Sequence, residues 1–337
     1  MNDKNLELNE LMDKNRVEEV LPAIFKISVP LPKNPLKAIN SYILKSNDRN
    51  LIIDTGFNRK ECKETLQTAI DTLNIDLNIT DFFITHMHAD HSGLANELST
   101  PASKIYISNP DGEIINGKGL WSKLLAMAQA NGFPEKILRA GIQKHPGYKY
   151  GHMGHIDYTP IKENDIIRIG SYKFSCIATP GHTRGHMCLY ERDKEIFISG
   201  DHILGDITPN IAINTDKDKN PLKDYYNSLD KVFDYNIKIV LPGHRSIIDD
   251  HKKRICELKT HHKTRLEEVT HILTNNSHNA YIVAAKMRWD IKIEGWEHFP
   301  IAQKWFATFE ALAHLRYLEE EGILKKITKN GIIEYIN

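Results

Sequence analysis

At 337 residues and 41% hydrophobic content, the chain is long enough for a large catalytic unit with a smaller appendage and for a sizeable core. Lys plus Arg and Asp plus Glu balance at 44 each, so the overall charge gives no electrostatic footprint for nucleic acid or an anionic membrane. The first ten residues are polar rather than a basic region followed by an apolar stretch, and no run approaches the roughly 18 to 20 apolar residues of a membrane helix; a cytoplasmic protein without a secretory signal is expected.

Cys62, Cys176, Cys188 and Cys256 are scattered with no Cys-x-x-Cys pair, which suits a reduced compartment and packing roles. The 17 histidines are the compositional outlier. Along the chain, three β-branched runs come early, at 24–29, 39–44 and 51–54, separated by turn residues, and they predict strands. Leu66, Ala69, Ile70 and Leu73 then follow the spacing of an amphipathic helix over 59–74, before a strand at 82–85.

Residues 84–91 read ITHMHADH, placing His86, His88, Asp90 and His91 within six positions on a loop at that strand's C-terminal end. Histidine and aspartate are seldom fully buried without partners, so this density is costly unless a cation gathers them. Residues 111–160 break the strand pattern, with helices predicted at 120–129 and 134–143 and a Gly-rich aromatic stretch at 145–154, and they read as an insertion over the site. Strands resume at 166–169, 172–178, 187–190, 195–199 and 238–241, with a helix near 221–233. From Asp250 onward, helical patterns at 255–274, 280–288 and 301–321 precede a hairpin signal around Asn330-Gly331, the outline of a winged helix. The expected division is a catalytic domain over 1–249 and a winged-helix-like domain over 250–337.

Three further ligand-type residues each end an apolar run: His182 after TPG, Asp201 after ISG and His244 after VLPG. Glycine and proline beside each one give the sharp turns that fix a side chain in place. Neutral imidazole and carboxylate suit zinc first, with iron or manganese compatible because no thiolate takes part. Two ions roughly 3.5 to 4 Å apart can share a water, lower its pKa toward about 7 and polarise a carbonyl or phosphoryl oxygen. A coincidental polar surface is a poor alternative once all three downstream residues join the cluster, although Pro-Gly-His244 alone could be a turn.

Together these segments, with Asp54-Thr-Gly56, resemble the metallo-β-lactamase superfamily over roughly residues 20 to 250. The resemblance implies an α/β fold, a four-layer αββα sandwich, here with a C-terminal helical winged-helix-like domain. It implies that His86, His88 and His182 hold one divalent metal ion and Asp90, His91 and His244 a second, with Asp201 bridging both. Asp54 would accept hydrogen bonds that orient the histidine loop, and Asp90 would orient the attacking water and take its proton. His186 is expected as a structural neighbour and His202 in a packing or hydrogen-bonding role. His145, His152, His155, Tyr148, Tyr150 and Tyr158 would touch substrate or face solvent, and His261 and His262 would form a solvated helix face.

Departures from the family's branches narrow the expectation. The redox branch carries glutamate where this chain has His88; the lactonases carry tyrosine where it has Leu204; true β-lactamases usually lack the aspartate at Asp90 and are exported. What remains is the glyoxalase II-like group of ester and thioester hydrolases and a winged-helix-tailed group, some of whose members cleave single-stranded RNA. Residues after Asp250 hold fourteen Lys/Arg against eleven Asp/Glu, and the last helix ends YLEEE, an acidic end that does not favour a phosphate-lined groove. The leading expectation is therefore a dinuclear metal hydrolase that attacks a small-molecule ester or thioester with a metal-bridging hydroxide. The tail would then pack on the catalytic domain, cover the cleft or form a homodimer. An RNA phosphodiesterase and a non-enzymatic ligand-binding effector are the alternatives.

Overall fold

A computed structural model describes residues 17–337, apart from 118, 153, 292 and 294; the first ten residues, on which the expectation about a leader rests, lie outside the described residues. The first sheet contains β1 (Val17–Leu21), β2 (Ile24–Pro30), β3 (Ala38–Leu44), β4 (Asn50–Ile53), β5 (Thr80–Phe83), β6 (Ile105–Ser108) and β7 (Thr159–Ile161), hydrogen-bonded in that order. Strands β1 to β4 form an antiparallel meander and β4 to β7 run parallel. The parallel steps need crossovers, which helices supply: α1 (Lys60–Thr72), the single turns α2 (Ala89–Ser92) and α3 (Ala95–Leu98), then α4 (Asn109–Ile115), α5 (Leu120–Ala130), α6 (Glu135–Gln143) and α7 (Pro146–Tyr150).

The second sheet runs β12-β11-β10-β9-β8, from β8 (Ile166–Ile169), β9 (Tyr172–Ala178), β10 (Met187–Glu191), β11 (Ile196–Gly200) and β12 (Ile239–Pro242); α8 (Pro221–Phe233) makes the crossover to the parallel partner β12. Alternation along the strands builds the layers. Leu51, Ile53, Tyr42 and Leu44 face Phe174, Met187, Leu189 and Leu241 of the other sheet, whereas their neighbours Ile52, Ile43 and Ile39 pack under Leu66, Ala69 and Ile70 of α1. On the far sheet Cys188, Tyr190 and Phe197 turn outward to Leu222, Tyr225, Leu229 and Val232 of α8. The result is the four-layer αββα sandwich.

The chain continues with α9 (His251–Ile272), α10 (Ala280–Lys286), α11 (Ile301–Glu320) and the hairpin β13 (Lys325–Lys329) and β14 (Ile332–Ile336). Helix α11 is buried almost all round, as a helix at the centre of a core must be, with Trp305, Phe309, Leu312 and Leu315 buried on it. Leu124, Ala128, Phe133, Leu138 and Ile142 of the 111–160 segment share one hydrophobic core with these α11 residues and with Val269, Val283 and Tyr335. The acidic end of α11 is spent on α8: Lys223 pairs with Glu320 at 2.6 Å, and Asn220 Nδ2 donates to the same carboxylate. Among the described residues no helix is long and apolar enough to cross a membrane.

Two expectations need correction. The histidine run is not all loop, because Asp90 and His91 sit on the turn α2, with extended His88 immediately before it. His262 is fully buried rather than solvated; it donates from Nδ1 to His314 Nε2 at 3.2 Å and packs against Tyr225. Helix α9 lies between α8 and α11, so a face that reads as polar in sequence is covered from two sides. Strands β1, β6 and β7, with three to five residues each, are too short to carry a legible alternation.

Candidate metal centre

All seven expected side chains converge where the C-terminal ends of β5, β9, β11 and β12 meet, a place where a rigid sheet holds loops at fixed positions. His86, His88 and His182 form one group of donor atoms, His86, His91 and Asp201 a second, and Asp90, His91 and His244 a third, with the donors of each group within 4.8 Å of one another. His182 Nε2 lies 2.9 Å from His88 Nδ1. Asp201 occupies the middle: its Oδ1 is 3.5 Å from His91 Nε2, and its Oδ2 is 3.6 Å from His182 Nε2 and 3.7 Å from His244 Nε2. Asp90 Oδ2 stands 3.4 Å from His244 Nε2.

The outer nitrogen of each buried ring is tied to the chain, and this fixes which nitrogen is left as a ligand. His91 Nδ1–H donates to Asp54 Oδ2 at 2.7 Å. Thr85 Oγ1 donates to the same carboxylate at 2.8 Å and so accepts from His86 Nδ1–H at 3.0 Å. His182 Nδ1–H donates to the Asn210 carbonyl at 3.0 Å, and His244 Nδ1–H to the Ala38 carbonyl at 2.8 Å. His86 Nε2, His91 Nε2, His244 Nε2 and Asp201 Oδ1 are buried without a hydrogen-bond partner. Four such atoms side by side would carry a heavy desolvation cost. They fit divalent cations that take their lone pairs, in the two sets His86/His88/His182 and Asp90/His91/His244 around Asp201.

Asp54 bonds to the histidine loop. It follows β4 with φ 56°, a conformation that costs energy outside glycine, and accepts from Thr85 N, Thr85 Oγ1 and His91. Close packing around the centre also requires glycine. A Cβ on Gly243 would stand 2.7 Å from Asp201 Oδ1 and 2.9 Å from His91 Cε1, and one on Gly200, whose φ is 47°, would stand 2.8 Å from His186 Nε2.

Electrostatics follow from burial and mutual proximity. Burial, then the neighbouring imidazoles, push His86 well below its ordinary value, and His182 falls to about 3 by burial and by His88. Burial would raise Asp90, but the His244 hydrogen bond and the charge of His91 bring it down to about 2. For Asp201 burial again opposes ionisation and is outweighed by His244 and His91, which hold the carboxyl well below the usual range.

His186 has both nitrogens occupied, with Nδ1 donating to Thr179 Oγ1 at 2.8 Å and Nε2 accepting from Asp201 N at 3.1 Å, so it positions the Asp201 backbone. His202 packs edge-on to Tyr225. Three residues carried no sequence signal. Buried Asp111 accepts from Met87 N, Thr183 Oγ1 and Gly185 N, tying the His86–His88 loop to the His182 loop. Asn210 and Thr85 orient His182 and His86; Asp111 and Asn210 are revealed only by contacts across the fold, and Thr85 by its bond to Asp54.

His88 also faces a cavity of about 400 Å³. Leu120, Trp121 and Leu124 of α5, Ile114 and Ile115 of α4, and Trp305, Phe306 and Phe309 of α11 form its walls. His145, Tyr148 and His152 line it, whereas Tyr150 packs on Phe57, Tyr158 donates to Asn109, and His155 is exposed beside Asp157.

Residues 35–244 match the metallo-beta-lactamase superfamily, well over half of the chain, and the chain belongs to that superfamily. The chain is 25% identical to a beta-lactamase-like protein 2 homolog of Caenorhabditis elegans over 94% of its length and 88% of that protein's. It is 27% identical to the probable metallo-hydrolase YqjP of Bacillus subtilis, over 93% and 97%. An atrochrysone carboxyl ACP thioesterase of Cryptosporiopsis is 24% identical over 71% of this chain and 59% of its own. A metallo-beta-lactamase family protein of Thermus thermophilus superposes with a TM-score of 0.81 at 24% identity, covering 94% of this chain and 99% of that one, so the likeness in fold extends through the C-terminal helices.

Proposed function

We propose that this chain hydrolyses an ester or thioester of a small molecule, as a dinuclear metal enzyme of the glyoxalase II-like kind. The carrying observation is the placement of a donor set with its outer nitrogens already tied to the chain at the end of a largely apolar cavity, which His88 lines. The thioesterase among the similar proteins supports an acyl carbonyl as the point of attack. Divalent ions held there, zinc first, would lower the pKa of a shared water toward about 7 and polarise the acyl carbonyl.

The chain's own residues do the rest. The rings of His86, His91, His182 and His244 are held against rotation, because Thr85, Asp54, Asn210 and Ala38 bind their outer nitrogens. Asp90 takes a proton from the attacking water at a carboxylate oxygen. Water adds to the acyl carbon, the carbon–sulfur or carbon–oxygen bond breaks, and an acid and a thiol or alcohol leave. The aromatic walls hold the acyl group against the centre and exclude bulk water.

Purified protein loaded with zinc is expected to hydrolyse members of a broad thioester and ester panel. Activity should vanish on chelation, return with metal, and be lost in Asp90→Asn and His182→Ala. A metal-replete protein that turns over no ester or thioester in the panel rules the proposal out.

A further inference from the structure

The cavity beside His88 is not uniformly apolar, because His145 sits on its wall. His145 precedes the turn α7 and accepts from Gly147 N through Nδ1 at 3.0 Å, the position and bond of an N-cap. A neutral imidazole that accepts at Nδ1 carries its proton on Nε2. That Nε2–H makes no hydrogen bond to the described chain, and the ring lies among aromatics, 4.8 Å from Phe306 and 5.0 Å from Trp121 between centroids. Burial, and next His88, push the imidazole down to about 3, which favours the neutral ring that the Gly147 bond already implies.

Several other polar groups nearby are committed elsewhere, and Tyr148 is exposed to solvent. Ser92 Oγ donates to the Met87 and His88 carbonyls, His152 to the Gly154 carbonyl, and Asn214 Nδ2 to the His182 carbonyl. Among the described lining residues Lys149 is the one lysine or arginine, it is exposed, and none carries a carboxylate. The wall suits an aryl-sized group, because Trp121, Trp305, Phe306 and Phe309 supply flat faces and a space of about 400 Å³ is at the small-ligand end of binding sites.

We infer that this cavity is the acyl subsite for an uncharged aromatic acyl group carrying one hydrogen-bond-accepting oxygen, and that His145 Nε2–H is the donor that recognises that oxygen. The inference rests on the acyl-hydrolase reading for the meaning of the ligand, but its test does not need turnover. Two of the four tryptophans, Trp121 and Trp305, line the cavity and report occupancy by fluorescence.

The test compares two non-hydrolysable carboxamides, of 3-oxo-3-phenylpropanoic and of 3-phenylpropanoic acid, which differ by one keto oxygen. Wild-type protein should bind the keto amide about fivefold more tightly, the worth of one hydrogen bond to a neutral acceptor. His145→Asn keeps both a capping oxygen and an N–H donor and should retain the preference. His145→Asp keeps the cap but presents no donor and should abolish it, while its unfolding temperature and metal content confirm that α7 and the centre are intact. Equal affinity of wild-type protein for the two amides overturns the inference, and so does a preference that survives in His145→Asp. If thioesters are hydrolysed but the preference is absent, the subsite assignment fails alone. If the His145-dependent preference is present and no acyl compound is hydrolysed, the subsite stands and the hydrolase reading fails.

Discussion

The metal centre and the aromatic cavity beside it meet at His88, yet they are built by opposite means. At the centre, each side chain projects from the end of a strand or the first turn beyond it, and carbonyls, a threonine and Asp54 hold His86, His91, His182 and His244 in one orientation. The cavity draws its walls from residues 114–124, 145–152, 212–214 and 305–309, which are far apart in the chain and gathered by the core shared between the 111–160 segment and the C-terminal helices. Coordination tolerates few residue types, so the centre tolerates little change. An apolar wall tolerates many, since hydrophobic residues of similar volume substitute for one another. Within one protein, reaction type and substrate choice therefore rest on parts of the chain that can change independently.

Changes at the centre should silence the chemistry and leave the cavity able to bind. Asp90→Asn is expected to lower kcat by about 10²- to 10⁴-fold, the usual worth of a positioned proton acceptor, with little change in the affinity for a non-hydrolysable amide read by tryptophan fluorescence. A parallel loss of amide affinity would show that the two regions do not separate.

The converse change is Trp305→Ala, which removes a wall of the cavity and part of its core. It should cost about 3 to 5 kcal/mol of stability by denaturant titration while metal content per chain is unchanged. Loss of metal from the folded variant would mean that the cavity supports the centre.

A smaller effect is expected at Asp54→Asn, which replaces a carboxylate accepting from Thr85 and His91 by an amide with one acceptor oxygen. Metal affinity should fall by about 10- to 100-fold, measured by competition with a chromophoric chelator. Unchanged affinity would mean that His91 needs no such anchor.

The smallest concerns a polar link between the centre and α11. Glu310 on α11 accepts from Asn210, whose carbonyl orients His182, and lies 4.0 Å from Arg265. Burial raises its carboxyl to about 7, against the pull of Arg265 and Asn210. Because the folded value exceeds the unfolded value of about 4.3, the stability it contributes is full below about pH 4 and is lost as pH rises through about 7. Wild-type protein should lose a few degrees of melting temperature relative to Glu310→Gln between pH 5 and pH 8. Parallel melting profiles for the two would show that Glu310 ionises as freely in the folded chain as in the unfolded one.

Sequence alone pointed to the sandwich and to the candidate metal ligands of this protein. Leu51, Ile52 and Ile53 are a continuous apolar run that reads as a strand buried on both faces, and they divide between two cores because successive side chains on a strand point to opposite faces. The His86–His91 run, His182, Asp201 and His244 are legible because few residue types bind a metal and tight turns must flank them. Tertiary structure decided the rest. Asp111, Asn210 and the Ala38 carbonyl gain their roles only by meeting residues distant in the chain, and hydrogen-bond partners across a fold leave no local pattern. The burial of His262 and the gathering of Trp121, His145 and Trp305 around one cavity likewise depend on which helices cover which faces. The physical reason is common to all of these: ligation and strand alternation are properties of the residues themselves, whereas burial and long-range hydrogen bonding are properties of their neighbours.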